Sequence, residues 1–297
     1  MTYVSFPGFG IEPFHMDRVA FSIGKLDVYW YGVIITVGMI LAVAYALYHA
    51  KIDRVKSDDI IDLALALIIC GVIGARLYYV LMKLDTYIVT GGTFWENLCD
   101  TFVGMINIPG GGLAIYGGII GGFLAGIVVA RRKHIRFPVI ADIAGPSVIV
   151  GQIVGRFGNF VNVEAYGSAT TLPWRMGIHF SYDEGATFVS SVFVHPTFLY
   201  ESLWNLVGLV FITALYKKKK FHGQMFLFYM AWYGFGRMLI EGLRTDSLYI
   251  GPLRVSQWVG GITFVVGVVL TIIGMHKTKK TKIEQTEAEE VKDGSSD

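Results

Sequence analysis

Seven apolar segments dominate the chain. They cover residues 28–49, 60–82, 113–130, 138–160, 196–216, 224–241 and 255–275. Each is close to the roughly 20 residues that an α-helix needs to cross the hydrocarbon core of a bilayer. The runs are continuous rather than alternating, which argues against a transmembrane β-barrel. The pattern therefore predicts an all-α polytopic membrane protein with seven transmembrane helices.

The connections between these segments carry basic residues unequally. One set holds most of them: Lys51, Arg54, Lys56, Arg131, Arg132, Lys133, Arg136, Lys217 to Lys220, Lys277, Lys279, Lys280 and Lys282. The other set holds Arg18, Lys25, Arg175, Arg244 and Arg254. Cytoplasmic loops are enriched in Lys and Arg, so the first set is predicted to be cytoplasmic, with the N-terminus outside and the C-terminus inside.

Composition supports a membrane domain over residues 1–276. The chain is 54% hydrophobic and 16% charged, whereas soluble domains carry about 25% charged residues. Residues 277–297 are charged and lack aromatic side chains, so we expect a disordered cytoplasmic tail there. The formal net charge of +2 does not indicate a nucleic-acid partner.

Motifs for a metal or a nucleotide are missing from the sequence. Cys70 and Cys99 have no metal-ligand spacing. The chain also has no phosphate-binding loop, HExxH helix or GxSxG elbow. We therefore expect neither a metal nor a cofactor.

Ionisable residues concentrate at the predicted outer ends of the helices. The stretch GRFGNFVNVEAYG, residues 155–167, closes the fourth segment with Arg156, Asn159 and Glu164. The sixth segment carries a stripe at spacings of four, four and three, which places its members on one helix face: Tyr233, Arg237, Glu241 and Arg244. Other segments add Tyr31, Arg76, Tyr116, His195, Tyr200 and Glu201 at the same predicted depth. Asp142, near the cytoplasmic side, is the main exception.

Each feature also has a structural interpretation. Aromatic residues at helix ends are typical of an interfacial belt, Arg237 and Glu241 match an i, i+4 pair, and His195 is placed to cap a helix. Helix packing is the favoured interpretation for the overlapping GxxxG glycines 117, 118, 121, 122 and 126. The clustering nevertheless favours function, because buried ionisable groups are costly in a membrane. Guanidinium groups bind phosphate in bidentate fashion, so the residues predict a membrane-embedded site for a phosphorylated lipid.

Five motifs resemble those of the bacterial prolipoprotein diacylglyceryl transferases, in order and spacing. They are WYG, GGLAIYGG, GRFGNFVNVEAYG, HPTFLYE and YGFGRMLIEGLRTD. The resemblance covers the chain up to about residue 275 and leaves out the tail. It implies transfer of the sn-1,2-diacylglyceryl group from phosphatidylglycerol to the lipobox cysteine of a prolipoprotein signal peptide, with release of glycerol 1-phosphate. It also implies a multi-pass protein of the bacterial cell membrane, with its active site toward the outer face.

The resemblance implies roles for individual residues as well. Arg156 and Arg237 would bind the phosphate and stabilise its charge. Gly167 would be a position of tight packing, and the loop 161–195 would help to form a small extracytoplasmic head. The remaining residues would line the substrate site: Tyr31, Asn159, Glu164, His195, Tyr233 and Glu241.

Tyr116 is a departure from the family, whose members often carry histidine at this position. The histidine has been favoured as a general base, whereas tyrosine has an ordinary pKa near 10. Either Tyr116 is a perturbed phenolate or hydrogen-bond donor, or the base lies elsewhere, at His195, Glu201 or Glu164. We favour a positioning role for Tyr116.

Two other functions use buried arginines: a transporter of anionic phospholipids and a lipid-binding membrane scaffold. A transporter predicts polar groups spread through the spans, whereas here they cluster at one end. The residues alone do not separate binding from catalysis.

Overall fold

The computed structural model describes residues 1–24, 26–88, 91–107, 111–181, 188–245 and 249–293. Its helices are α1 (Trp30–Ile52), α2 (Ser57–Met82), α3 (Leu84–Tyr87), α4 (Phe94–Ile106), α5 (Ile115–Arg132), α6 (Phe137–Asn162), α7 (Thr197–Leu215), α8 (Gln224–Glu241) and α9 (Val255–Asp293). Within the described ranges, six helices are long and apolar enough to cross a membrane: α1, α2, α5, α6, α7 and α9. The fold is therefore mostly helical and suits a multi-pass membrane protein.

The remaining predicted span corresponds to α8. It forms a helix of 18 residues but is less apolar than the other six, because its C-terminal half carries Arg237 and Glu241. The total of seven spans therefore stays a prediction. Helix α9 continues to Asp293, beyond the predicted end of the seventh span at residue 275. Disorder of the tail stays a prediction, and residues 294–297 lie outside the described residues.

The structure also contains short β-strands, so the predicted all-α fold is confirmed only as mostly helical. The strands are β1 (Thr2–Phe6), β2 (Ile11–His15), β3 (Val19–Ile23), β4 (Leu26–Tyr29), β5 (Met176–Phe180), β6 (Ser190–Val194), β7 (Tyr249–Ile250) and β8 (Leu253–Arg254). An antiparallel sheet has the order β2-β1-β5-β6 and joins the N-terminus to the predicted head loop. Strands β3 and β4 form a hairpin before α1, and β7 pairs with β8.

A small apolar core explains why these short segments form strands. Val4, Met176, Ile178 and Val194 are at most 4% exposed, and they pack with Phe198 of α7. Side chains alternate between the two faces of a strand, so Met176 and Ile178 reach the same core from β5. Burial of apolar surface thereby attaches the sheet to the beginning of α7.

The chain divides into two compact units, residues 1–46 with 142–297 and residues 47–141. In the second unit, α2 and α5 pack closely at glycines. A Cβ atom on Gly74 would lie 2.4 Å from the carbonyl oxygen of Gly117, and one on Gly121 would lie 2.2 Å from that of Cys70. The packing predicted for Gly117 and Gly121 is confirmed.

Asp142 has a structural role in the first unit. It is fully buried and accepts hydrogen bonds from the backbone N–H groups of Gly223, Met225 and Phe226 at 2.8, 2.8 and 3.1 Å. Lys219 Nζ lies 3.1 Å from the same carboxylate. Since the first N–H groups of a helix lack intrahelical partners, Asp142 of α6 caps the N-terminus of α8.

Candidate active site

Glu201 lies at the centre of a buried ionic network in the first unit. Its side chain is 4% exposed and projects from the first turns of α7. One carboxylate oxygen lies 2.5 Å from Arg156 Nη2 of α6, and the other lies 2.9 Å from Arg237 Nη1 of α8. A single carboxylate therefore holds arginines from two other helices in defined positions. Charge-assisted hydrogen bonds of this kind are the strong ones in proteins.

A second carboxylate extends the network along α8. Glu241 Oε2 lies 2.7 Å from Arg237 Nη2, and Arg244 lies 4.0 Å from Glu241 and 3.9 Å from Glu201. Arg254 donates hydrogen bonds to the carbonyl oxygens of Glu241 and Arg244. Because the last carbonyls of a helix have no intrahelical partner, Arg254 stabilises the C-terminal end of α8.

Amide side chains carry the network from Arg156 to an exposed carboxylate. Arg156 Nη1 donates to Asn159 Oδ1 at 3.2 Å, and Asn159 Nδ2 donates to Glu164 Oε1 at 2.8 Å. Asn162 Nδ2 donates to the same oxygen at 3.4 Å. Glu164 is the second residue after α6, and Val163 and Ala165 on either side of it have φ of 52° and 57°. Two left-handed, non-glycine residues there indicate a backbone held by its surroundings.

Glu164 also lines a cavity of about 630 Å³. The other lining residues are Arg18, Val28, Tyr29, Tyr31, Gly32, Asn162 and Val163. The ring of Tyr31 lies against Gly158, where a Cβ atom would come within 2.9 Å of Tyr31 Cδ2. The cavity is therefore connected to the arginines through Glu164 and Asn159.

Gly167 lies beside the network and contacts His195, which precedes α7 by two residues. The backbone N–H of Gly167 donates to the carbonyl of His195 at 2.9 Å, and Gly167 forms a β-bridge with Arg244. A Cβ atom on Gly167 would lie 2.7 Å from His195 Cβ. Only glycine fits at this position without movement of its neighbours, which accords with the tight packing predicted for it.

A chain of hydrogen bonds orients the His195 ring. Trp174 Nε1 donates to the Tyr200 hydroxyl at 2.7 Å, and that hydroxyl lies 3.1 Å from His195 Nδ1. Because the indole N–H can only donate, Tyr200 accepts from Trp174. The contact between the Tyr200 hydroxyl and Nδ1 therefore holds the imidazole ring of His195 in place.

Tyr233 lies one helical turn before Arg237 on α8. Its ring stacks on that of Tyr229 at a centroid distance of 5.9 Å. The hydroxyl of Tyr229 in turn accepts a hydrogen bond from Gln152 at 3.2 Å. Tyr233 thus shares the helix face of Arg237 and is fixed by aromatic packing.

Tyr116 belongs to the second unit, in the first turn of α5, and is 38% exposed. Arg76 lies in the same unit, and its role differs from the predicted one. Its guanidinium donates to the carbonyl oxygens of Gly104, Met105, Gly111 and Gly112 at 2.5 to 2.9 Å. Arg76 therefore holds the end of α4 and the loop before α5, and it does not present these N–H groups to an anionic ligand.

Three guanidinium groups converge in the first-unit network. Arg156, Arg237 and Arg244 lie within 4.0 Å of the buried carboxylates of Glu201 and Glu241. Guanidinium groups bind phosphate oxygens in bidentate fashion, so the network is suited to bind an anionic group. Among the described residues, no cluster of three or more His, Cys, Asp or Glu side chains is arranged to hold a metal.

Sequence analysis identified most of this network but not its centre. Arg156, Asn159, Glu164, Arg237 and Glu241 are brought together as predicted from their common depth. The central role of Glu201 in the network was not predicted, because the motif HPTFLYE alone does not show which arginines its carboxylate contacts. The excess of arginine over acid in the neighbouring segments was a signal that a buried carboxylate had to serve several guanidinium groups.

Comparison with known proteins gives a family match over most of the chain. The family model described as prolipoprotein diacylglyceryl transferase matches residues 18–273. A relative from Finegoldia magna, "Phosphatidylglycerol--prolipoprotein diacylglyceryl transferase", is 43% identical over 92% of this chain and 100% of its own length. Relatives of the same name from Bacillus cereus and Bacillus anthracis are 39% identical over 87% of this chain and 92% of their own lengths.

Proposed function

The chain belongs to the prolipoprotein diacylglyceryl transferase family, and from that premise we propose that it is the enzyme that transfers diacylglyceryl from phosphatidylglycerol to prolipoproteins. The acceptor is the lipobox cysteine of a signal peptide, and the second product is glycerol 1-phosphate. The observation that best supports this function is the ionic network around Glu201. Its three converging guanidinium groups are suited to the negative charge of a phosphodiester.

Arg156 and Arg237 are the proposed phosphate ligands. Each has 16–18% of its side chain exposed, and each is held on one side by Glu201. The remaining guanidinium N–H groups are available for the phosphate oxygens. Arginines preorganised by a carboxylate need little rearrangement when the substrate binds, which is the condition for electrostatic catalysis.

The proposed reaction is a substitution at carbon. The cysteine sulfur attacks the glycerol carbon of the diacylglyceryl group that carries the phosphate ester. A C–S bond forms and the C–O bond to phosphate breaks, so both bonding electrons leave with glycerol 1-phosphate. The phosphate gains negative charge as the bond breaks, and the two arginines therefore stabilise the transition state more than the ground state. The thiol proton passes to a base, because the thiolate is the nucleophile.

Glu164 is the carboxylate best placed to take that proton. It is exposed to the cavity, whereas both oxygens of Glu201 are held by arginines. The ring of His195 is held beside the network by Tyr200, which suits hydrogen bonding to the substrate. Tyr116 is assigned a positioning role, and Tyr116→Phe tests it: loss of activity with a changed pH profile would identify its hydroxyl as the base instead.

We further propose seven spans, with α8 as the sixth. α8 packs closely on α9, where a Cβ atom on Gly234 would lie 2.6 Å from the carbonyl oxygen of Gly260. The basic connections then lie in the cytoplasm, and the network lies toward the outer face of the bacterial cell membrane. The head sheet and the donor lipid are on that same side, where a signal peptide presents its cysteine.

Transfer to a peptide tests the function directly. The purified protein is incubated in detergent with phosphatidylglycerol and a synthetic lipobox peptide, and the peptide mass is followed. We expect a diacylglyceryl adduct with wild type and with Arg175→Ala, a matched change in the head, and none with Arg156→Ala. No adduct from wild type, with phosphatidylglycerol still bound, would favour a transporter or scaffold instead.

A further inference from the structure

Two tryptophans form a reciprocal contact between α7 and α8. The indole rings of Trp204 and Trp232 stack with centroids 4.4 Å apart and planes inclined by 17°. Trp204 Nε1 donates to the carbonyl oxygen of Trp232 at 3.0 Å, and Trp232 Nε1 donates to that of Trp204 at 2.9 Å. In an apolar environment an indole N–H needs such a partner. We call this pair the tryptophan clasp.

Each tryptophan also lies on a glycine of the other helix. A Cβ atom on Gly208 of α7 would lie 2.4 Å from Trp232 Cδ1, and one on Gly236 of α8 would lie 2.2 Å from Trp204 Nε1. The glycine follows the tryptophan by four residues in both helices, as WNLVG and WYGFG. The same W-x-x-x-G pattern thus supplies both halves of a self-complementary contact. A side chain on Gly208 would displace the Trp232 ring, and one on Gly236 would displace the Trp204 ring.

The clasp is adjacent in sequence to the ionic network. Glu201 precedes Trp204 by three residues, which is less than one helical turn, and Arg237 directly follows Gly236. A helix rises about 1.5 Å per residue, so a slip of one residue between α7 and α8 would break the 2.9 Å contact between Arg237 and Glu201. In lipid, no hydrophobic effect opposes sliding of two apolar helices, and packing and hydrogen bonds must set their register.

We propose that Trp204 and Trp232, with Gly208 and Gly236, are positioning residues that fix the register of α7 and α8 so that Arg237 and Glu201 meet. The proposal rests on the proposed function for its catalytic consequence, but the register itself also governs phosphatidylglycerol binding. The clasp acts through Arg237 and does not touch the reacting atoms. Its loss should therefore lower the binding and turnover of phosphatidylglycerol even in the molecules that remain folded.

The test is the double variant Trp204→Phe with Trp232→Phe. Phenylalanine keeps an aromatic ring but cannot donate the two hydrogen bonds. The matched control is Trp258→Phe, since Trp258 Nε1 also donates to a carbonyl, that of Ile250 at 3.2 Å, at the beginning of α9. Measurements are the melting temperature, phosphatidylglycerol affinity by native mass spectrometry, and kcat and KM for peptide modification.

We expect the double variant to lower kcat/KM by roughly 10- to 100-fold, the range expected for a misplacement of about 1 Å. The affinity of the double variant for phosphatidylglycerol should fall by about tenfold, while the affinity of Trp258→Phe should stay within about threefold of the wild-type value. Gly236→Ala should reproduce the loss of affinity, and Gly261→Ala should not, because a Cβ atom there would meet Met238 Sδ at an ordinary 3.6 Å.

Three results would overturn the proposal. One is wild-type affinity and turnover in the double variant. Another is a loss that merely follows the unfolded fraction at the assay temperature, as the melting curves measure it. The third is an equal loss in Trp258→Phe. If the wild type itself gives no adduct, the proposed function fails, and the affinities of the same variants still decide whether the clasp positions Arg237.

Discussion

Replacement of Glu201 by glutamine is the most direct perturbation of the network. Glu201→Gln keeps the size and shape of the side chain and removes one negative charge. The network would then lose the carboxylate that lies within 4.0 Å of all three guanidinium groups, and its net charge would become more positive by one. Because the site is buried, the additional charge is not screened by water.

The distances give the expected loss of stability in Glu201→Gln relative to that in Glu241→Gln. Glu201 lies 2.5, 2.9 and 3.9 Å from its three arginines, and Glu241 lies 2.7 and 4.0 Å from two. Coulomb energy varies inversely with distance, so at one effective dielectric constant Glu201 contributes about 1.6 times the attraction of Glu241. Loss of one partner of a buried ion pair costs roughly 3–5 kcal/mol. We therefore expect the free energy of unfolding to fall by about 4 kcal/mol in Glu201→Gln and by about 2.5 kcal/mol in Glu241→Gln.

Thermal unfolding in detergent and peptide modification are the two assays. Glu201→Gln should melt lowest and Glu241→Gln next, while the matched control Glu12→Gln, on exposed β2, should melt as wild type does. Turnover by folded Glu201→Gln should fall by about 100-fold, the cost of losing a preorganised electrostatic contact. Melting at the wild-type temperature, or a larger effect of Glu241→Gln, would refute the assignment of Glu201 as the centre.

Further predictions concern the cap of α8, the tight glycine and the head sheet. Asp142→Asn should cost about 2 kcal/mol, measured by thermal unfolding, because the carboxylate accepts three N–H groups and pairs with Lys219. Gly167→Ala should cost about 1–3 kcal/mol in the same assay, because its Cβ atom would lie 2.7 Å from His195 Cβ. Burial lowers the pKa of His179 below its ordinary 6.5, so the folded head disfavours the proton. The contribution of His179 to the free energy of unfolding should be fully present above about pH 6.5 and should decrease as the pH falls toward the lowered pKa.

Each of these predictions has a contrary outcome. Activity per folded molecule that falls in Asp142→Asn would place the cap in the active site and not only in folding. A wild-type melting temperature for Gly167→Ala would show that His195 moves aside at little cost. For His179, unfolding is followed between about pH 7.5 and 5, and His179→Gln should flatten the curve. An unchanged slope in that variant would assign the pH dependence to another group.

Hydrophobic pattern alone was sufficient for the long helices, because a segment that crosses a bilayer must satisfy its backbone internally and be apolar along about 20 residues. Six of the predicted segments coincide with helices long and apolar enough to span. The strands were not predicted, since five-residue strands such as β1 and β6 have little periodicity of their own. Their stability comes from a core assembled from β1, β5, β6 and α7, which no single segment indicates.

The candidate site shows the same division between what the sequence determined and what only the tertiary structure decided. Sequence by itself determined which polar side chains lie near one end of the helices, because helical spacing and chain direction set depth along the axis. Only the tertiary structure decided which of them pair. Rotation and register of neighbouring helices depend on long-range contacts, which no single segment of sequence shows. In the structure, Glu201 is the shared partner of Arg156 and Arg237, whereas Arg76 donates to backbone carbonyls. Along the chain, all four residues looked equivalent.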